Sequence, residues 1–321
     1  MYNEASKIQR IYMAIIAILA GLYLITCAPT AAMQTVKICL DQVMFRLIPL
    51  DHDFYPAVPI LSATFSVSII LIVFAGALSL IIAKSLYDGK EWARPTALGL
   101  FAIPSVAGMT MIIPWLVLVL AEYPDKGAPS PTISGMAPAA HVMLLGLFFY
   151  YSILLADKDT LKNKLLKLIP YTLVGVVAGM VFMNGQHGVR YFIFLKDFPN
   201  EALLTPLGHF ITNLDHLDPV TFKQTSDAAV YSPHTLALLL GGYLNYVSTA
   251  MMMLAIPFMA MRKKIGWYMA ATASLATAAV SYQGFLVRNS HEWLQGGFLS
   301  TALLIVLLIP VFRRMFFPEE K

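Results

Sequence analysis

The chain has 321 residues, 58% of them hydrophobic and only 12% charged, with a mean hydropathy of +0.70 and a formal net charge of +4. Soluble domains carry roughly 25% charged residues, and a water-soluble globule of this size could not bury so much apolar surface, so lipid must be its solvent. The two cysteines, Cys27 and Cys39, allow at most one disulfide, and the lack of any Cys-x-x-Cys argues against cysteine-bound zinc or iron–sulfur clusters.

Crossing roughly 30 Å of hydrocarbon takes about 20 helical residues. Apolar runs of that order predict an all-α fold, a polytopic transmembrane helix bundle of about eight spans. The first run, 11–32, follows Lys7 and Arg10 and is expected to stay as a first helix rather than be cleaved as a leader. The stretch after it, 33–59, reads as a long outer loop. Within it Val36, Leu40, Val43, Met44 and Leu47 recur at helical spacing, which predicts an amphipathic helix lying on the membrane. Runs 60–83 and 95–121 are joined by a basic turn with Trp92 before the second of them. Run 138–156 leads through Lys158, Lys162, Lys164 and Lys167 to the shortest run, 168–184. The second long outer loop, 185–233, mixes Tyr191, Phe192, Phe194 and Phe198 with polar residues and is expected to fold over the bundle. Runs 234–261 and 266–287 are joined by another basic turn, followed by Trp267, and run 294–312 closes the series.

Residues 1–321 therefore form a single integral membrane domain. The two similar hairpins suggest halves 1–160 and 161–321 in a parallel four-plus-four repeat. The plainer account is that interfacial Trp and basic turns make any two hairpins alike.

Most Lys and Arg fall in the segments 84–94, 158–167, 262–264 and 313–321, together with the N-terminus. By the positive-inside rule these face the cytoplasm, which places both termini there in a multi-pass protein of the plasma membrane. The basic charge thus reads as a topology signal and a contact with the lipid bilayer, not a nucleic-acid footprint.

None of the eight runs contains Asp, Glu or Lys, and no phosphate-binding loop, Gly-x-Ser-x-Gly elbow or His-Glu-x-x-His pair occurs. ATP is therefore not expected as a partner, and a carboxylate-coupled transporter is disfavoured. The seven histidines avoid the basic segments. His141, His234 and His291 stand at the outer starts of three inward-running helices, and His52 shortly precedes another. Facing imidazoles can ligate haem iron or bind a quinone, so these four are the candidate cofactor-binding residues, with the cofactor open between haem b and a quinone. The plain alternative is that histidine is simply tolerated at an interface. In the second loop His209, Asp215, His216 and Asp218 could hold a metal or serve as caps and turn residues. Asn245, deep in its run, is expected to bond another helix through Gln283 or Ser281. The run Met251, Met252 and Met253 reads as packing rather than a copper site.

This layout of histidines at the outer ends of even helices is similar to the haem A synthase family, which has two four-helix halves. The resemblance implies haem in the outer half, although Cys27 and Cys39 match that family's paired first-loop cysteines poorly. The expected function is an integral membrane subunit of a respiratory or other electron-transfer complex, packed on other membrane-protein subunits. A non-catalytic scaffold subunit is the alternative, and an uncoupled transporter the third choice.

Overall fold

The structure is a computed structural model, and it describes residues 5–51, 54, 57–124, 127–156, 159–193, 233–288 and 293–318. The chain opens with α1 (Lys7–Gln42), started by a capping box in which Ser6 and Gln9 exchange side-chain and backbone hydrogen bonds at 2.8 and 3.3 Å. A π-helical stretch, Val43–Leu47, extends it. Then follow α2 (Ala57–Tyr87) and α3 (Ala93–Pro114), the latter prolonged by a π stretch, Trp115–Leu120. After α4 (Ala140–Leu154), α5 (Leu161–Lys167) runs through a third π stretch, Leu168–Thr172, into α6 (Leu173–Ile193). The remaining helices are α7 (Pro233–Ala260), α8 (Lys264–Arg288), α9 (Leu294–Leu308) and the short α10 (Pro310–Arg313).

This is an all-α polytopic membrane bundle, but not one of about eight spans. Among the described residues five helices are long and apolar enough to cross: Lys7–Leu47, Phe65–Tyr87, Ala93–Leu120, Leu161–Val181 and Leu239–Ala260. The other three expected spans fail for physical reasons. Helices α4 and α9 have 15 residues each, about 22 Å at 1.5 Å per residue, short of the hydrocarbon thickness. Helix α8 is long enough, but Ala, Ser and Thr dominate its middle and dilute its hydropathy. The four-plus-four repeat of spans loses its premise with them.

Neither long outer loop holds as drawn. Residues 33–47 continue α1 without a break; of the expected stripe Val43 and Leu47 are buried in the protein core, Val36 and Leu40 pack partly against it, and Met44 is exposed. Residues 185–193 continue α6, and 194–232 lie outside the described residues. Cys27 and Cys39 are both free and sit on the one helix α1, about 18 Å apart along its axis.

Helix α3 is the centre of the bundle. It is buried along most of its length and packs on α2, α4, α6 and α7. Close approach is made through glycines, as is usual where lipid supplies no hydrophobic drive between helices. A Cβ on Gly146 of α4 would stand 2.8 Å from the Ser105 backbone of α3, and one on Gly175 of α6 would run into the Gly99 carbonyl of α3. Between α1 and α2, a Cβ on Gly76 would stand 2.8 Å from that of Leu24.

Two buried arginines hold the ends of these helices. Arg46 donates to the carbonyls of Leu118 (3.4 Å), Val119 (3.2 Å), Ala121 (2.7 Å) and Pro129 (3.0 Å), closing the C-terminal end of the α3 rod. Arg94, in the first turn of α3, donates to Ile153 (3.1 and 3.2 Å) and Leu154 (2.8 Å) at the end of α4. Each satisfies carbonyls that a helix terminus leaves open.

The basic segments gather at one end of the bundle. Arg10 packs against Gly89, Arg262 approaches Glu91 at 3.9 Å, and Lys264 and Arg313 lie over the Phe317 ring at 5.5 and 5.6 Å. Beside them the buried pair Lys167–Asp159 closes at 2.7 Å, with Asn163 Nδ2 donating 2.9 Å to the same carboxylate. Burial opposes ionisation of Asp159, yet hydrogen bonds from Lys167, Asn163 and the Thr160 N–H outweigh it and hold its pKa below the ordinary value.

Two outcomes follow from this packing. Gly175→Ala should destabilise the detergent-solubilised protein by about 1–3 kcal/mol through overpacking at α3, read as a lowered thermal midpoint. Asp159→Asn should cost about 3–5 kcal/mol by stranding a buried lysine, and Asp159→Asn with Lys167→Met should recover most of it. A carboxylate whose folded pKa is depressed stabilises above its unfolded pKa, so wild-type stability should fall as pH drops below the carboxylate range while the double variant should show less of that fall.

Candidate functional site

Of the four histidines expected to gather round a cofactor, the structure describes the side chain of one. His141 is in the first turn of α4 and is exposed; α4 packs chiefly on α1 and α3. His234 starts α7, which packs chiefly on α6 and α8, and its side chain lies outside the described residues. His52 and His291 lie outside them as well, as do His209, Asp215, His216 and Asp218. Among the described residues no group of three or more His, Cys, Asp or Glu side chains is placed to hold a metal ion.

A different constellation emerges in the C-terminal half. Helix α7 carries Asn245, Ser248 and Thr249, α8 carries Ser274, Thr277 and Ser281, and α9 carries Ser300, all buried. Some of these hydroxyls turn back on their own helix: Thr249 donates to the Asn245 carbonyl at 3.0 Å and Ser274 to that of Ala270 at 2.7 Å. Three side chains do not. The amide nitrogen and oxygen of Asn245, the Thr277 hydroxyl and the Ser300 hydroxyl are fully enclosed and have no hydrogen-bond partner. The expected bonds from Asn245 to Gln283 or Ser281 are not formed, and Gln283 is exposed.

Helix register sets Asn245 level with Thr277, and Ser300 about one turn away. A Cβ on Gly241 would stand 3.4 Å from Val280 Cβ, and one helical turn further along these antiparallel rods Asn245 comes level with Thr277. Across α8 and α9, a Cβ on Gly297 would lie 3.0 Å from the Tyr282 ring, and Tyr282 and Thr301 share a hydrogen bond of 2.9 Å. That register sets Ser300 level with Ser281, about one turn from Thr277. Helix α6 forms a further wall, since a Cβ on Gly185 would meet the Gly242 carbonyl at 2.9 Å. At the end away from the basic turns Trp293, fully buried, closes over Gly284, where a Cβ would come 2.5 Å from its indole.

An enclosed, unpaired polar group costs about 1–3 kcal/mol, and nearly all such groups in folded proteins find a partner. Three such side chains on α7, α8 and α9, within about one helical turn of depth, leave donors and acceptors that no described neighbour satisfies. The sequence held a signal for it: Asn245, Ser248 and Thr249, and likewise Ser274, Thr277 and Ser281, repeat at helical spacing and so share one face of their helices. Comparison with protein families, curated proteins and solved structures finds no match to this chain.

Proposed function

We propose that this chain is an integral membrane subunit of an electron-transfer assembly that binds a quinone head inside its α6–α9 half. The observation that carries the reading is the enclosed, unpartnered set of Asn245, Thr277 and Ser300. A quinone offers two carbonyl acceptors on a flat apolar ring. The Asn245 amide and the two hydroxyls supply donors of matching kind, and the helices around them supply apolar walls. Haem b is the neighbouring reading and rests on His234 and His291. The alternative is a scaffold subunit, favoured by the outer groove of about 410 Å³ between α1 and α2, lined by Met33, Val36, Leu40, Met44, Phe65 and Ile69. By the positive-inside rule the end bearing Arg10, Lys90, Arg262 and Arg313 faces the cytoplasm of a cell whose plasma membrane holds the protein.

Titrating the purified protein with a short-chain quinone tests the reading. Binding is expected in the wild type and should weaken about tenfold or more in Asn245→Leu, as loss of one enclosed hydrogen bond implies. The thermal midpoint of that variant should be unchanged or raised, because leucine removes an unpaired polar group. A wild type that binds no quinone, or a variant that binds as well, overturns it. A reduced-minus-oxidised haem band would put haem in place of the quinone. The orientation is checked separately: a cysteine at Lys263 should react with an impermeant reagent only in inverted vesicles, and reaction in intact cells would reverse the sidedness.

A further inference from the structure

The three enclosed side chains face one interior. On α8, Val280 meets Gly241 of α7, while Tyr282 meets Gly297 and Thr301 of α9. Helical spacing puts Thr277 on the buried arc between those two directions, opposite the exposed Leu275 and Leu286. On α7, Gly241 meets α8 and Gly242 meets Gly185 of α6, and by the same spacing Asn245 falls between them. On α9, Ser300 is turned from the pair Gly297 and Thr301 that meets α8 toward the buried side of Gly296, Leu303 and Leu307.

The wall that α8 presents to this interior is made of small residues. Ala270, Ser274, Thr277, Ala278 and Ser281 share the inner face and are all buried. At these levels α8 therefore sends no bulky side chain inward. Small residues alone mark close helix packing. A ligand is marked by a second observation: the Asn245 amide and the Thr277 and Ser300 hydroxyls, on fully buried side chains, have no hydrogen-bond partner.

The polar groups form two layers. Asn245 and Thr277 are level, and Ser300 stands about one helical pitch, ~5.4 Å, nearer the end closed by Trp293. The first layer offers an amide NH₂ and a hydroxyl, and the second offers one hydroxyl. Opposite carbonyl oxygens on a six-membered ring are separated by a distance of that order. Carbonyls on neighbouring ring atoms lie much closer together and cannot reach both layers.

We infer that the site takes a 1,4-quinone with its carbonyl axis along the helices, one oxygen accepting from Asn245 Nδ2 and Thr277 Oγ1 and the opposite oxygen from Ser300 Oγ. This rests on the quinone reading and adds to it the isomer recognised and the residues at each end of the ring. The flat ring lies against the small inner face of α8. A 1,2-quinone engages the Asn245–Thr277 layer and leaves Ser300 unpaired, at the cost of one enclosed hydrogen bond.

The test titrates the full chain in detergent with tetramethyl-1,4-benzoquinone and with its 1,2 isomer, which has the same atoms and differs only in where the second carbonyl sits. The wild type should bind the 1,4 isomer about tenfold more tightly, as one enclosed hydrogen bond implies. Ser300→Ala should remove that preference by weakening the 1,4 isomer alone. Thr277→Val should weaken both isomers by a similar factor and so preserve the preference. Both isomers are measured on the same sample, so their ratio does not depend on how much of a variant is folded. Equal affinity for the two isomers in the wild type, or an unchanged ratio in Ser300→Ala, overturns the axial pose and leaves the quinone reading standing. A wild type that binds neither isomer overturns both.

Discussion

Every backbone carbonyl that lipid cannot hydrate must be satisfied by the protein itself, and this chain meets the demand at its most crowded points with arginine. Arg46 reaches four carbonyls at one end of the α3 rod, and Arg94, at the other end, reaches those of α4. Each guanidinium presents five donors in a fixed fork and so can close several open carbonyls at once. Cationic donors also complement the negative end of a helix dipole. With both ends fixed, α3 can act as the post on which α2, α4, α6 and α7 pack.

The π stretches fall at the same junctions. Val43–Leu47 carries Arg46, Trp115–Leu120 supplies two of the carbonyls it caps, and Leu168–Thr172 follows Lys167 and places Tyr171. A wider turn shifts the register of all that follows it, so these insertions set where the buried cations and Tyr171 meet their partners. The glycine contacts do the complementary work along the rods, letting backbones approach where side chains would hold them apart.

Polar groups inside the bundle are settled in two ways. In the N-terminal half, Thr35 accepts from the Ala139 N–H at 2.8 Å and Ser79 donates to the Ala17 carbonyl at 2.8 Å, so polar residues stitch helices together. In the C-terminal half, Asn245, Thr277 and Ser300 are enclosed without such partners. Neither arrangement is confined to one half: Tyr23 Oη in α1 is also enclosed without a hydrogen-bond partner, and the Tyr282–Thr301 bond stitches α8 to α9.

The sequence by itself determined the solvent and the order of the rods. A chain with so few charges must use lipid, the apolar runs mark where helices lie, and the basic residues cluster between them because charge is expelled from hydrocarbon. Only the tertiary structure decided how many rods reach across, because hydropathy reports composition and not where a helix starts and stops. Residues 33–47 looked like a surface helix because their apolar stripe is the same whether it meets lipid or protein; Val43 and Leu47 turn out to meet protein, while Met44 stays exposed. Arg46 looked like a loop charge because its acceptors, Leu118 to Pro129, are more than 70 residues away in the chain. Asn245 was legible as a deep polar residue, but not its lack of a partner. Hydrogen-bond satisfaction depends on which neighbours come within about 3 Å, and in a helical bundle those neighbours are brought by other rods.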